Sequence, residues 1–122
     1  HFGRPKNGFD PEFSMKFMVP VLQQRWGYDD IGFAEDCIGP AVQKKISGLN
    51  NGQILLLENL RFHKGEEAND PDFTRDLATG SDVYVNDAFA TAHRAHASTE
   101  GLAHRLPAYA GFLMEAELNA LN

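Results

Sequence analysis

Three arginines stand in loops, each with a histidine close by in sequence: His1-Phe2-Gly3-Arg4-Pro5, Leu60-Arg61-Phe62-His63 and Ala92-His93-Arg94-Ala95-His96. A guanidinium pairs with phosphate or carboxylate through two parallel hydrogen bonds, so the chemistry this pattern suggests is anion binding. Each charge-assisted bond contributes about 1.5–3 kcal/mol. Three such groups around one small anion would make a specific site even in a protein of net charge −6. A single arginine is ordinarily a solvated surface group; it is the joint pattern that carries the reading.

Other chemistries are weaker. His93 and His96 would share one face of a helix and could be imagined around zinc, as the centre of a metal-dependent hydrolase. No third ligand is placed by a motif, however, and Arg94 between them repels a cation. Cys37 in Asp36-Cys37-Ile38-Gly39 could be a nucleophile at a helix start, but a small buried residue is the favoured reading. Asp36, Glu58 and Asp87 each follow a strand-like run. They could do acid–base work, although helix caps and partners for arginines are the simpler roles. No Gly-x-x-x-x-Gly-Lys or Gly-x-Gly-x-x-Gly loop cradles a nucleotide phosphate. No metal and no cofactor is therefore assigned to these residues.

The elements that must position the arginines follow from the pattern. Val83-Tyr84-Val85 reads as a buried strand stopped by Asn86-Asp87. Gln53-Ile54-Leu55-Leu56-Leu57 is a second strand, and Ile31–Ala34 a third. Helices are expected from Met18, Val19, Leu22 and Trp26, with Pro20 forcing either a kink or a late start. Others are expected from Gly39-Pro40 through Leu49, from Asp70-Pro71 through Leu77, and at the end through Met114, Leu118 and Leu121. Gly101–Arg105 is expected as a helical turn and Leu106-Pro107 as a break. Strands alternating with helices mean βαβ units and a mostly parallel sheet. In such a sheet the loops at successive strand ends lie side by side, so Arg4, Arg61 and Arg94 are predicted to line one rim.

At 122 residues the chain has room for one modest core. Its acidic balance argues against a nucleic-acid partner. One cysteine cannot form an internal disulfide and fits a reducing compartment. No apolar run reaches membrane-spanning length, and no segment resembles a signal peptide. The chain opens on His1 in mid-motif, so it is expected to be a piece of a longer polypeptide.

The motifs resemble the phosphoglycerate kinase family. They are His1-Phe2-Gly3-Arg4-Pro5, Leu56-Leu57-Glu58-Asn59-Leu60-Arg61-Phe62-His63, Val83 through His96, and the tail Ala110-Gly111-Phe112-Leu113-Met114. The resemblance runs through essentially the whole chain in the family's order. It implies an α/β fold, a three-layer Rossmann-like doubly wound parallel sheet, of which residues 1–122 are part of the N-terminal, phosphoglycerate-binding domain. It implies an enzyme of glycolysis or carbon fixation that moves a phosphoryl group between 1,3-bisphosphoglycerate and ADP, giving 3-phosphoglycerate and ATP. Mg²⁺ would act with the nucleotide on a C-terminal domain outside this chain. By the match, His1, Phe2, Gly3, Arg4, Arg61 and Arg94 are substrate-binding residues, and no catalytic residue is expected in this piece, which is expected to be inactive alone. A monomer in the cytoplasm, or in a plastid, is implied, with no membrane or nucleic-acid partner. Ala90 stands where the family commonly has glycine. The alternative reading is a stand-alone anion-binding module without catalysis.

Overall fold

The computed structural model describes residues 1–121. It divides into two compact units, His1–Lys64 and Gly65–Asn122.

In the first unit, Asp10 accepts from the Glu12 amide at 3.0 Å and caps a 3₁₀ turn at Pro11–Phe13. The main helix, α1 (Met18–Trp26), starts later. Pro20 thus falls in the first turn, where a missing N–H breaks no helical bond, and the late start wins over the kink. Gly27 ends α1 in the left-handed conformation, at φ 60°. Strand β1 (Ile31–Ala34) follows, then α2 (Pro40–Ser47), which opens on proline as the sequence predicts. Strand β2 (Ile54–Leu57) lies parallel to β1, in register from Ile31↔Ile54 to Ala34↔Leu57. Ile31, Ala34, Cys37 and Val42 are buried. The thiol is thus the small core residue expected.

The second unit begins inside the one-turn helix α3 (Lys64–Glu67). Asp70 accepts from the Phe73 amide at 2.8 Å and caps α4 (Pro71–Ala78). Phe73 and Thr74 are buried, and a Cβ on Gly65 would stand 2.7 Å from that of Phe73. Strand β3 (Tyr84–Asn86) pairs in parallel with β4 (Ala108–Ala110), from Tyr84↔Ala108 to Asn86↔Ala110. Between them come a π-type turn at Ala97–Gly101 and α5 (Leu102–Arg105), which Leu106 ends in extended conformation. The chain runs out through α6 (Phe112–Leu121). Both sheets are parallel and alternate with helices, so the α/β class holds. No described helix is long and apolar enough to cross a membrane.

Two expectations need correction. The strand expected at Val83–Val85 lies one residue later, and it is not buried on both faces: Val83 and Val85 are 54% and 55% exposed. Side chains alternate along a strand, so these valines share the face that this unit leaves uncovered, while Tyr84 turns to the other. The second correction is β4, which the sequence reading lacked. Its Ala-Tyr-Ala run has no β-branched residue and all three positions are exposed, so it carries no hydrophobic signal.

Tyr84 faces a buried acid. Glu66 is 2% exposed and accepts from the Ser98 amide at 2.7 Å and the Ser98 hydroxyl at 2.5 Å. The Tyr84 hydroxyl donates to the Ser98 carbonyl at 2.7 Å. Burial, reinforced by the Glu66 carboxylate, raises the phenol pKa above its usual 10.0. A group whose pKa is raised on folding stabilises the fold fully below its unfolded pKa, and this contribution is lost as pH climbs through the folded value. Tyr84→Phe is therefore expected to cost about 1 kcal/mol at neutral pH from the lost hydrogen bond. It is also expected to flatten the loss of stability above pH 10. Denaturant unfolding across an alkaline pH series checks both, and parallel pH slopes for variant and parent would contradict the second.

Candidate functional site

The two residues that follow β2 organise the loops of the first unit. Glu58 is 4% exposed and Asn59 1%. The Glu58 carboxylate accepts from the Ser14 hydroxyl at 2.6 Å, the Met15 amide at 2.7 Å and the Asn59 amide at 2.8 Å. Three donors compensate a charge that would otherwise be costly to hold away from water. The role is structural: Glu58 anchors the segment that leads into α1.

Asn59 works in two directions. Its Nδ2 donates to the Phe2 carbonyl at 2.6 Å and to the Phe13 carbonyl at 3.0 Å. Its Oδ1 accepts from the Arg61 amide at 3.0 Å and caps a 3₁₀ turn at Leu60–Phe62. Carbonyls on one side and an amide on the other fix the orientation of the side chain. One amide thus joins the His1–Arg4 loop to the turn that carries Arg61. Aromatic contacts reinforce the join, with Phe2 5.2 Å from Phe17 and 6.2 Å from Phe13 between ring centroids, and Phe9 5.3 Å from Phe62. Gly3 is required here, because it takes φ +65° and a Cβ would collide with the Phe13 ring.

The sequence-predicted residues divide between the units. Among those of the first, His1, Phe2, Gly3 and Arg4 are exposed, and Arg61 is half-buried. The His1 ring bonds the Gly3 carbonyl at 3.2 Å. Arg4 lines a cavity of about 350 Å³ with Lys6, Asn7 and Phe9. Lys6, a second cation lining that cavity, was missed because the pattern read from the sequence was arginine with a nearby histidine. In the second unit Arg94, half-buried, lines a cavity of about 380 Å³ with Asn86, His93, Glu100 and Tyr109. Its loop is tied by the Thr99 hydroxyl, which donates to the Arg94 carbonyl at 2.5 Å and accepts from the His96 amide at 3.0 Å.

His93 and His96 stand in turn and extended backbone and share no helix face. Among the described residues they join no third potential metal ligand. Asp87 fills the capping role expected of it, accepting from the Leu113 and Met114 amides at 2.8 and 3.1 Å at the start of α6. A Cβ on Gly111 would collide with that carboxylate. Asp36 accepts from the Cys37 amide at 2.6 Å and lies 2.5 Å from His63 Nε2.

Asn59→Ala would leave two carbonyls and one amide without their partner. A loss of about 2–4 kcal/mol is expected in denaturant unfolding, with Asn59→Asp no better, because a carboxylate offers nothing to the Phe2 and Phe13 carbonyls. A loss below about 0.5 kcal/mol, the range of ordinary surface changes, would contradict the tie.

A family model described as phosphoglycerate kinase matches residues 1–122. The chain is 60% identical over 121 residues to the phosphoglycerate kinase of Rhizobium leguminosarum bv. trifolii, and 55% identical to that of Rhodospirillum centenum. Each match covers 99% of this chain and 30% of the relative, so the chain spans under a third of the length of these proteins. The fold is similar to the crystal structure of the enzyme of that name from Pyrococcus horikoshii, with TM-score 0.85 and 34% identity over 99% of this chain and 31% of that one. For the structure from Coxiella burnetii the TM-score is 0.82 and the identity 38%, over 99% of this chain and 30% of that one.

Proposed function

We propose, since the chain belongs to the phosphoglycerate kinase family, that it supplies the phosphoglycerate-binding lobe of a longer two-domain kinase. The observation that carries the reading is the Asn59 side chain, which ties the loop of Arg4 to the turn of Arg61. In this reading His1, Phe2, Gly3, Arg4, Arg61 and Arg94 are the substrate-binding residues, taking the non-transferred phosphate and the carboxyl end of 3-phosphoglycerate. The guanidinium forks bind and orient a multiply charged ester. They do no proton transfer, and the piece alone is inactive.

Phosphoryl transfer needs charge stabilisation around the moving group and in-line positioning of nucleotide and acceptor. ADP or ATP with Mg²⁺ would be bound by the part of the relatives that this chain does not cover. Magnesium takes oxygen ligands in octahedral order. The one close group of potential ligands among the described residues mixes a thiol and an imidazole with a single carboxylate, so these residues do not fit that ion. Monomeric action in the cytoplasm, on the glycolytic or carbon-fixing exchange of 1,3-bisphosphoglycerate with ADP, belongs to the same proposal.

Arg61→Ala and Arg94→Ala, made in the full-length kinase, are expected to raise the KM for 3-phosphoglycerate by about tenfold or more. The KM for ATP should stay within about twofold, since the guanidinium contacts proposed are to the other substrate. Steady-state kinetics with each substrate varied in turn checks this. Equal losses for both substrates would overturn the assignment of the arginines.

A further inference from the structure

Away from the arginines, three donors of different chemistry meet in the first unit. Asp36, Cys37 and His63 each offer one ligand atom, and the three atoms lie within 4.8 Å of one another. Asp36 and Cys37 follow β1, and His63 follows the 3₁₀ turn after β2, so the parallel pairing of the two strands brings the segments together. Cys37 is the protein's single cysteine and is 2% exposed. The Asp36 and His63 side chains are 52% and 27% exposed, so two of the three donors are in reach of solvent.

We propose that Asp36, Cys37 and His63 bind a divalent transition metal of borderline softness, with Zn²⁺ the best fit. Thiolate and imidazole are donors that favour zinc and copper over magnesium and calcium. Three protein ligands with water in the fourth position make an open tetrahedral site. Around zinc, with bonds near 2.0–2.3 Å, ligand atoms stand roughly 3.3–3.7 Å apart. The three atoms, within 4.8 Å of one another, are close enough to reach that spacing by side-chain adjustment. His63 Nε2 and the Asp36 oxygen, now 2.5 Å apart, must open by about an ångström to admit the ion.

The protons balance simply. The Cys37 thiol now donates to the Glu58 carbonyl at 2.8 Å. As the sulfur–metal bond forms, the S–H bond breaks, that hydrogen bond is lost, and the proton passes to solvent. About one proton is therefore released per ion bound. The Cys37 amide, which donates to Asp36 at 2.6 Å, remains to orient the carboxylate. The ion would replace the His63–Asp36 pair as the link between the two segments.

Cobalt(II) titration of the purified protein is the test, since thiolate-bound cobalt gives a charge-transfer absorption in the near ultraviolet that oxygen and nitrogen ligands do not. One equivalent is expected to produce that band, and zinc to abolish it by displacement. Cys37→Ser keeps a donor for the Glu58 carbonyl and should retain the circular dichroism spectrum while losing the band. His63→Gln should weaken zinc binding, measured calorimetrically, by about tenfold or more. Absence of the band in the parent protein would overturn the proposal. So would zinc affinity unchanged in both variants, because the metal would then sit elsewhere.

Discussion

A carboxylate removed from water is tolerated only where donors replace its hydration, and the first unit is built around one such exchange. Glu58 holds three donors, two of them from the segment that enters α1. The next residue, Asn59, turns the same strand end toward two carbonyls and one amide. In the His1–Arg4 loop only Phe2 offers a large apolar side chain, and it packs on Phe13 and Phe17. The hydrogen bonds from Glu58 and Asn59 add to that packing, and β2, which they follow, is held by its parallel pairing with β1. The geometry of Arg4 and Arg61 is therefore inherited from the sheet through two polar side chains.

The second unit repeats this logic with different residues. Glu66 takes both donors of Ser98 and so anchors the start of the π-type turn at Ala97–Gly101. Asp87 takes two amides at the head of α6. Each of these acids, and Glu58 with them, is engaged by main-chain N–H groups, two of them with a hydroxyl as well. Lone pairs committed to amides are not offered to guanidinium.

Much of this order was legible in the residues. Proline at a first helical position and aspartate before it marked α4, and Pro40 marked α2, because both signals act within one turn and need no tertiary partner. The apolar runs at Ile31–Ala34 and Ile54–Leu57 marked β1 and β2 for the same reason. The failures were non-local. The Ala-Tyr-Ala of β4 is a strand only because Tyr84 to Asn86 lie beside it. Val83 and Val85 read as buried because their type favours it, while burial depends on what covers the face. Of the candidate site, the arginines were readable from charge and position. The role of Asn59 was not, since its partners lie more than forty residues away in sequence. Asp36, Cys37 and His63 come together only through the register of two strands.

The glycine between β4 and α6 has a practical corollary. Replacing glycine by alanine is a common route to greater stability, since it narrows the choices open to the denatured polypeptide. At position 111 the obstacle is not backbone conformation but room, because the Asp87 carboxylate occupies the volume a methyl would need. Thermostabilising libraries should leave that site untouched. Gly8 and Gly27 meet nothing within 4 Å, yet their positive φ angles exclude alanine for a different reason. Gly32, whose nearest neighbour is a Leu55 methyl at 3.6 Å, is where such engineering has space to begin.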